Sequence, residues 1–246
     1  MQNVSSGGRK EPLSKSMGIY VCPPHVFTSD SLLLADFSAP KSTDTVCDLG
    51  TGCGIIPMLM YRDFHPAHIT GVELSEAACE LFLKTLSESG ADCITCVNAD
   101  LRELKSIVPA NSCDLVTVNP PYKKQGAGHI NTSDERRNTR HEYSCTLSDV
   151  CNAAARLLRW GGRFCICQRP ERLCDVFAAM REAKIEPKAM REVAERPGGA
   201  PSLVLVAGTR GGKSGLRLLP PLYIKDADGG FSPEADRIFN SYRITE

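Results

Sequence analysis

Short apolar runs alternate with amphipathic segments along most of this chain. Residues 45–49 and 113–118 are mainly apolar stretches too short for helices, and they match strands buried on both faces of a sheet. In the intervening segments apolar residues recur every three or four positions, which is typical of helices that cover a sheet. The alternation predicts an α/β fold with a mainly parallel sheet and helices on both faces.

The predicted elements begin near residue 19. Residues 1–17 are polar and rich in Ser, Gly and Lys, so we expect a flexible N-terminus. No repeat or linker divides the remainder, so residues 18–246 are predicted to form one domain. Strands are predicted at 19–22, 45–49, 68–74, 94–97, 113–118, 163–167, 186–193 and 202–209, and helices at 26–37, 55–64, 75–86, 101–108, 147–158 and 173–180. The last-but-one helix is predicted to stop at Gly161–Gly162.

Composition narrows the class of protein. The chain has 246 residues, 42% of them hydrophobic, which is enough for one large α/β domain. Its 29 Lys and Arg residues balance 29 Asp and Glu residues, so any nucleic-acid binding must come from local patches. No apolar run approaches the roughly 20 residues that span a membrane, and the polar N-terminus lacks the apolar region of a signal peptide. A cytoplasmic protein, with a monomer favoured, is expected.

The twelve cysteines do not form a regular disulfide framework, so we expect reduced thiols. Cys93 and Cys96 have a spacing found in zinc sites, but a second such pair is missing and both residues lie in a strand-like run. Other cysteines fall inside apolar runs, where the thiol behaves as a small hydrophobic group. No metal site is predicted.

A glycine-rich turn follows the strand at 45–49. Asp48-x-Gly50-x-Gly52-x-Gly54 lies between a strand and a helix, where ligands approach the carboxyl ends of a parallel sheet. The even spacing differs from the dinucleotide pattern, and the Lys-Ser/Thr pair of a phosphate loop is missing. An acid ahead of the glycines favours a cationic or amine-bearing ligand over a pyrophosphate.

Acids also end the next two strands. Glu73 can accept hydrogen bonds from both hydroxyls of a ribose, and Asp100 can accept one from an adenine amino group. Each has a simpler interpretation, since Glu73 can be a solvated strand end and Asp100 can cap the helix that begins at Leu101. Acids and glycines at three successive strand ends together favour a nucleoside cofactor.

Asn119-Pro120-Pro121-Tyr122 directly follows the strand at 113–118. The amide oxygen of Asn119 can accept a hydrogen bond from an amine, and the prolines free backbone carbonyls from the sheet to accept more. Tyr122 offers a flat face on which a base can stack. The alternative is an ordinary turn at a strand end.

These motifs together resemble class I S-adenosylmethionine-dependent methyltransferases of the amino-methylating branch. Residues from about 18 to 226 more closely resemble bacterial tRNA1(Val) adenine-N6-methyltransferases, which modify the adenine on the 3′ side of the anticodon. The closer match rests on residues 27–35, 140–142, 202–206 and 220–222.

The resemblance implies a Rossmann-like seven-stranded sheet with its last strand antiparallel, S-adenosylmethionine as cofactor, and contacts to the cofactor carboxylate near Thr28 and Asp30. The predicted cofactor-binding residues are Thr28, Asp30, Asp48, Gly50, Thr51, Gly52, Gly54, Glu73, Leu74, Asp100, Leu101 and Asn119. The predicted catalytic residues are Asn119, Pro120, Pro121 and Tyr122.

A basic segment follows the Asn-Pro-Pro-Tyr motif and is expected to contact tRNA phosphates. The predicted substrate-binding residues are Lys123, Lys124, Arg136, Arg137, Arg140 and His141. A second basic cluster, which comprises Arg210, Lys213 and Arg217, is expected to extend this rim, although a charged hairpin explains it equally well.

The resemblance implies N6-methylation of an adenine in tRNA, next to the anticodon of tRNA1(Val). Protein glutamine methylation uses the same four-residue motif and is the main alternative, but the basic segment favours RNA. A DNA adenine substrate is less favoured because no separate target-recognition domain is visible. A catalytically silent RNA-binding module is disfavoured by the intact acids, glycines and Asn119.

Overall fold

The computed structural model describes the backbone of residues 8–120 and 145–244 and the side chains of residues 8–120 and 145–240. Its strands are β1 (Arg9–Pro12), β2 (Gly18–Val21), β3 (Thr45–Leu49), β4 (His68–Glu73), β5 (Ile94–Asn98), β6 (Cys113–Val118), β7 (Leu158–Gln168), β8 (Ile185–Ala194), β9 (Pro201–Arg210), β10 (Arg217–Leu218) and β11 (Leu222–Tyr223). The α-helices are α1 (Ser29–Ser38), α2 (Ile55–Phe64), α3 (Glu76–Ser89), α4 (Leu147–Leu157), α5 (Leu173–Glu182) and α6 (Pro233–Ile244), and Leu101–Ser106 is a 3-10 helix.

Seven strands carry the main sheet, in the order β8-β9-β7-β6-β3-β4-β5. Strands β3 to β7 pair in parallel, whereas β9 is antiparallel to both of its neighbours. This arrangement confirms the predicted mainly parallel sheet. The short strands β10 and β11 add in parallel to the outer edge of β8.

The sheet separates two apolar cores. Neighbouring residues of β3 show the division, because Val46 belongs to the core that includes residues of α1, α2 and α3, whereas Cys47 belongs to the core that includes residues of α4 and α5. Both side chains are fully buried. The sheet is therefore covered on both faces, as the alternation of strands and helices predicted.

The N-terminal segment contains a strand that the sequence pattern missed. β1 pairs antiparallel with β2, and Leu13 in the following turn is buried. The hydroxyl of Tyr20 donates a 2.8 Å hydrogen bond to Glu88 of α3, which ties this ribbon to the domain. β1 consists of polar, mostly exposed residues without an apolar run, and this explains why it was missed although β2 was predicted.

Strands β3, β4, β5 and β6 run in parallel, so their carboxyl ends meet at one edge of the sheet. The glycine-rich turn, Glu73, Asp100 and Asn119 all follow directly from this edge. In the part of the chain described here, no helix is long and apolar enough to cross a membrane.

Candidate cofactor and active site

The glycine-rich turn is shaped by packing on one side and is open on the other. Gly50, Gly52 and Gly54 all have positive φ, which favours glycine. A Cβ on Gly54 would lie 2.0 Å from the ring of Phe82, so this glycine lets α2 approach α3. At Gly50 and Gly52 no described atom lies within 4 Å of an added Cβ. A ligand can therefore approach the backbone closely at these two positions.

Glu73 holds this turn in place. Its Oε2 accepts a 2.8 Å hydrogen bond from the backbone N–H of Gly52, and its Oε1 accepts one of 2.8 Å from the N–H of Ser75. The residue is only 7% exposed. A carboxylate offers about four acceptor positions, so these two bonds leave capacity for the hydroxyls of a ligand.

Asp48 is a buried acid at the centre of the edge. Its Oδ1 accepts a 2.6 Å hydrogen bond from the hydroxyl of Thr117 on the neighbouring strand. Burial raises the pKa of Asp48 to about 7, and the Thr117 hydrogen bond opposes this rise only in part. The negative charge of Glu73 adds a smaller upward contribution to the pKa.

Oδ2 of Asp48 and Oγ1 of Thr51 are buried beside the turn and make no hydrogen bond of normal geometry among the described residues. The Thr51 hydroxyl still lies close enough to the Asp48 carboxyl to lower its pKa. Buried polar groups are normally well paired, so this weakly satisfied acid is suited to a positively charged group. The open backbone, Glu73 and these two atoms together fit a nucleoside cofactor that carries positive charge.

Asp100 is engaged by its own neighbour. It caps the 3-10 helix by accepting a 2.9 Å hydrogen bond from the N–H of Arg102. The guanidinium of Arg102 also lies 2.5 Å from Asp100 Oδ2, and this hydrogen bond lowers the pKa of the carboxyl. The capping interpretation of Asp100 is confirmed, and its contact with an adenine amino group stays a prediction.

Asn98 is a site residue that sequence reasoning missed. Its side-chain N–H groups donate to the carbonyls of Glu73 at 2.9 Å and Leu74 at 3.0 Å. These bonds join the ends of β4 and β5 and fix the backbone that carries Glu73. A polar residue at a strand end was the only available signal in the sequence.

Asn119 is held between two distant elements. Its Nδ2 donates a 2.9 Å hydrogen bond to the hydroxyl of Ser31 on α1. Its Oδ1 accepts a hydrogen bond from the thiol of Cys167 on β7, with a sulfur–oxygen distance of 3.1 Å. The predicted catalytic amide is therefore part of a connected polar network at the carboxyl edge. Pro121 and Tyr122 lie outside the described residues.

The first turn of α1 also lies next to Asn119. Thr28 is the N-cap residue, yet its side chain makes no capping hydrogen bond. Asp30 is half-buried, and Ser31 one residue later contacts Asn119. The helix thus connects the two residues predicted to bind the cofactor carboxylate with the predicted catalytic amide.

The structure brings together Asp48, the glycine-rich turn, Thr51, Glu73, Leu74, Asp100, Leu101 and Asn119 at one edge of the sheet. The predicted tRNA-binding residues Lys123, Lys124, Arg136, Arg137, Arg140 and His141 lie outside the described residues. Among the residues that are described, no group of three or more His, Cys, Asp or Glu side chains is placed to hold a metal ion.

Arg210 of the second basic cluster lies away from this edge of the sheet, whereas the basic rim that the cluster was expected to extend lies outside the described residues. Because β9 runs antiparallel, its end at Arg210 meets the starts of β6 and β7, at the opposite edge of the sheet. There Arg210 hydrogen-bonds to Asn111 and to the carbonyl of Leu158, and its guanidinium lies 5.5 Å from the ring centre of Trp160.

The strand order, the antiparallel β9 and the acids at the ends of β3 and β4 together define the fold of a class I methyltransferase. A family model supports this class, because the methyltransferase small domain matches residues 22–183. The chain belongs to this family. The predicted methyltransferase, with S-adenosylmethionine as its methyl donor, is thereby confirmed at the level of the family.

Curated relatives carry a narrower name. A tRNA1(Val) (adenine(37)-N6)-methyltransferase from Porphyromonas gingivalis is 26% identical over 228 residues, which cover 88% of each chain. A protein of the same name from Histophilus somni is 33% identical over 175 residues, which cover 65% of this chain and 70% of the relative.

Solved structures share the fold. A predicted O-methyltransferase from Agrobacterium tumefaciens has a TM-score of 0.70 at 21% identity, covering 86% of this chain and 96% of its own. A geranyl diphosphate methyltransferase in complex with S-adenosylmethionine has a TM-score of 0.54 at 16% identity, covering 74% and 84% of the respective chains. The likeness to these two enzymes extends to the architecture alone.

Proposed function

We propose that this protein transfers a methyl group from S-adenosylmethionine to the N6 amine of an adenine in tRNA, the adenine beside the anticodon of tRNA1(Val). The observation that carries the proposal is the Asn119 amide, which is fixed by Ser31 and Cys167 at the same sheet edge as the glycine-rich turn. The names of the curated relatives support tRNA as the substrate class.

Each predicted cofactor-binding residue is assigned to one part of S-adenosylmethionine. Glu73 accepts the ribose hydroxyls, Asp100 accepts the adenine amino group, and the apolar side chains of Leu74 and Leu101 cover the base. Leu74 is 40% exposed next to Glu73, so its side chain is available to form a wall for a planar ligand.

The amino-acid end of the cofactor lies between the glycine-rich turn and α1. The backbone N–H groups at the start of α1, together with Thr28, suit a carboxylate, because a helix N-terminus attracts negative charge. Asp48 and Asp30 suit the positively charged amine. Asp48 and Thr51 are both buried at the base of the glycine-rich turn.

Asn119 provides the chemistry. An adenine N6 amine is a weak nucleophile because its lone pair is delocalised into the ring. The Asn119 amide oxygen and the carbonyl of Pro120 accept its two hydrogens, which increases electron density on nitrogen and fixes its direction of attack. When bound, S-adenosylmethionine would supply an electrophilic methyl group at its sulfonium. As the N6 nitrogen bonds to this methyl group, the methyl–sulfur bond breaks, S-adenosylhomocysteine leaves, and the nitrogen gives up one proton. Tyr122 stacks on the base, which must leave its helical stack to reach this edge.

The direct test is to incubate the protein with S-adenosylmethionine carrying a labelled methyl group and, separately, unmodified tRNA1(Val) transcript, duplex DNA and a purified release factor. Nucleoside mass spectrometry of the tRNA should show labelled N6-methyladenosine. Label on a protein glutamine, or on DNA, with none on the transcript would contradict the assignment. If none of the three substrates receives the label, the proposed methyltransferase activity is refuted.

A further inference from the structure

We propose that Ser31 and Cys167 are positioning residues that hold the Asn119 amide in the one orientation in which its oxygen can accept the target amine. The inference rests on the proposed function and deepens it. It identifies two residues outside the Asn-Pro-Pro-Tyr motif on which the reaction rate should depend.

We call the hydrogen-bonded set of Ser31, Asn119 and Cys167 the clamp. Its three residues come from three separate elements. Ser31 belongs to α1, Asn119 follows β6, and Cys167 lies near the carboxyl end of β7. Ser31 is 5% exposed and Cys167 is fully buried, so bulk water does not compete for either contact. The bonds of 2.9 Å and 3.1 Å reach opposite ends of the same amide.

A clamp is needed because a side-chain amide is nearly symmetric in shape. Rotation by half a turn about its last bond exchanges the oxygen with the NH₂ group and changes little else. Only the oxygen can accept a hydrogen from the amine of the substrate. The rotated amide would present N–H donors to that amine, and the electron density on the attacking nitrogen would not increase.

Ser31 alone cannot select between the two orientations, since a hydroxyl both donates and accepts. Of these two contacts, the one with Cys167 distinguishes the two orientations. In the observed orientation its thiol donates to the amide oxygen at 3.1 Å. In the rotated orientation the amide N–H would have to donate to sulfur, which is a weak acceptor. The thiol therefore favours the orientation that catalysis requires.

The experiment compares Cys167→Ala, Cys167→Ser and Ser31→Ala with the parent protein. Cys165→Ala is the matched control, because Cys165 lies on the same face of β7, is fully buried and packs in the same apolar core. Single-turnover rates of tRNA methylation are measured at saturating substrates, together with cofactor affinity and thermal stability.

We expect Cys167→Ala to lower the methylation rate about tenfold, as the loss of one hydrogen bond worth roughly 1.4 kcal/mol would. The KM for tRNA and the Kd for the cofactor should change little. Cys167→Ser should recover most of the rate, because its hydroxyl also donates. Cys165→Ala should keep the parent rate even if it loses as much thermal stability as Cys167→Ala.

A second measurement does not depend on the substrate. The side-chain NH₂ resonances of Asn119, identified by their absence in Asn119→Ala, report how firmly the amide is held. Cys167→Ala should speed their exchange with solvent, whereas Cys165→Ala should not. Unchanged exchange in Cys167→Ala, or equal rate losses in Cys167→Ala and Cys165→Ala, would overturn the clamp. If the parent methylates no tRNA, the proposed function fails, and the resonances still decide the clamp.

Discussion

At the scale of single residues, Asp48 shows how burial tunes the site. Its carboxyl faces Thr117 on β6, Thr51 on the glycine-rich turn and Glu73 on β4, with no cation among the groups that shift its pKa. A pKa of about 7 means that the acid is about half protonated at neutral pH. A bound ligand with positive charge would favour the ionised form.

Cofactor affinity should therefore depend on pH. Below the pKa of about 7 the neutral Asp48 must lose its proton as the cofactor binds, so affinity should rise as the pH increases through neutrality and level off above it. Asp48→Asn should bind weakly and with a flatter profile. Calorimetry across this range, in buffers of different ionisation enthalpy, measures both the affinity and the proton release. A parent profile as flat as that of Asp48→Asn would contradict this role.

Stability should show the opposite pH trend when the cofactor is absent. The raised pKa means that folded Asp48 binds more protons than the unfolded chain between the ordinary value of 3.8 and about 7. Its contribution to the free energy of unfolding should fall as the pH rises through this window and stay constant above it. Denaturant unfolding of the parent and Asp48→Asn isolates this contribution. A difference between the two proteins that does not change with pH would argue against it.

The sequence identified Asp48, Glu73 and Asn119 because each stands where a predicted strand ends. It could not identify their partners. Ser31 lies 88 residues from Asn119, Cys167 lies 48 residues from it, and Thr117 lies 69 residues from Asp48. Only the pairing of distant strands and the packing of α1 bring these groups together.

At the scale of elements, the glycine-rich turn and the end of β4 form one unit, because Glu73 accepts hydrogen bonds from Gly52 in the turn and from Ser75 just after β4. Local pattern predicted the two elements but not this connection. The sequence pattern also predicted that α4 would stop at Gly161–Gly162. In the structure α4 ends at Leu157 and both glycines lie inside β7. Glycines are compatible with either arrangement, so sequence alone could not decide between them.

Glu73→Ala should weaken cofactor binding about ten- to hundredfold, because hydrogen bonds to a charged group contribute about 1.5–3 kcal/mol. The backbone amides of Gly52 and Ser75 should also exchange faster with solvent, since both lose their acceptor. Glu76→Ala is the control, because this exposed acid lies nearby at the start of α3. Unchanged cofactor affinity in a folded Glu73→Ala protein would refute the ribose assignment.

At the scale of the whole molecule, the direction of β9 decides which basic residues can serve the site. The βα alternation predicted a mainly parallel sheet, and the resemblance to class I methyltransferases implied seven strands with the last one antiparallel. The side-chain chemistry of Arg210 could not show at which edge its strand ends. The antiparallel pairing of β9 with β7 settles that question.

Two double variants should separate the two basic clusters. Neutralising Arg136 and Arg137 should weaken tRNA binding and reduce the salt dependence, with a slope lower by about one to two, because fewer counterions are released. Neutralising Lys213 and Arg217 removes the same charge but should leave both quantities unchanged. Filter binding over a range of salt concentrations provides the measurement. Equal effects of the two pairs would mean that only the total charge matters.

The central claim is that Asn119 activates the adenine amine for methyl transfer. Single-turnover methylation of tRNA1(Val) transcript by Asn119→Ala, with cofactor affinity measured in parallel, tests it most directly. We predict a rate lower by about a hundredfold or more, as the loss of a polar group that acts in the transition state would cause, with little change in cofactor affinity. A folded Asn119→Ala protein that methylates the transcript as fast as the parent would show that this residue is not at the catalytic centre.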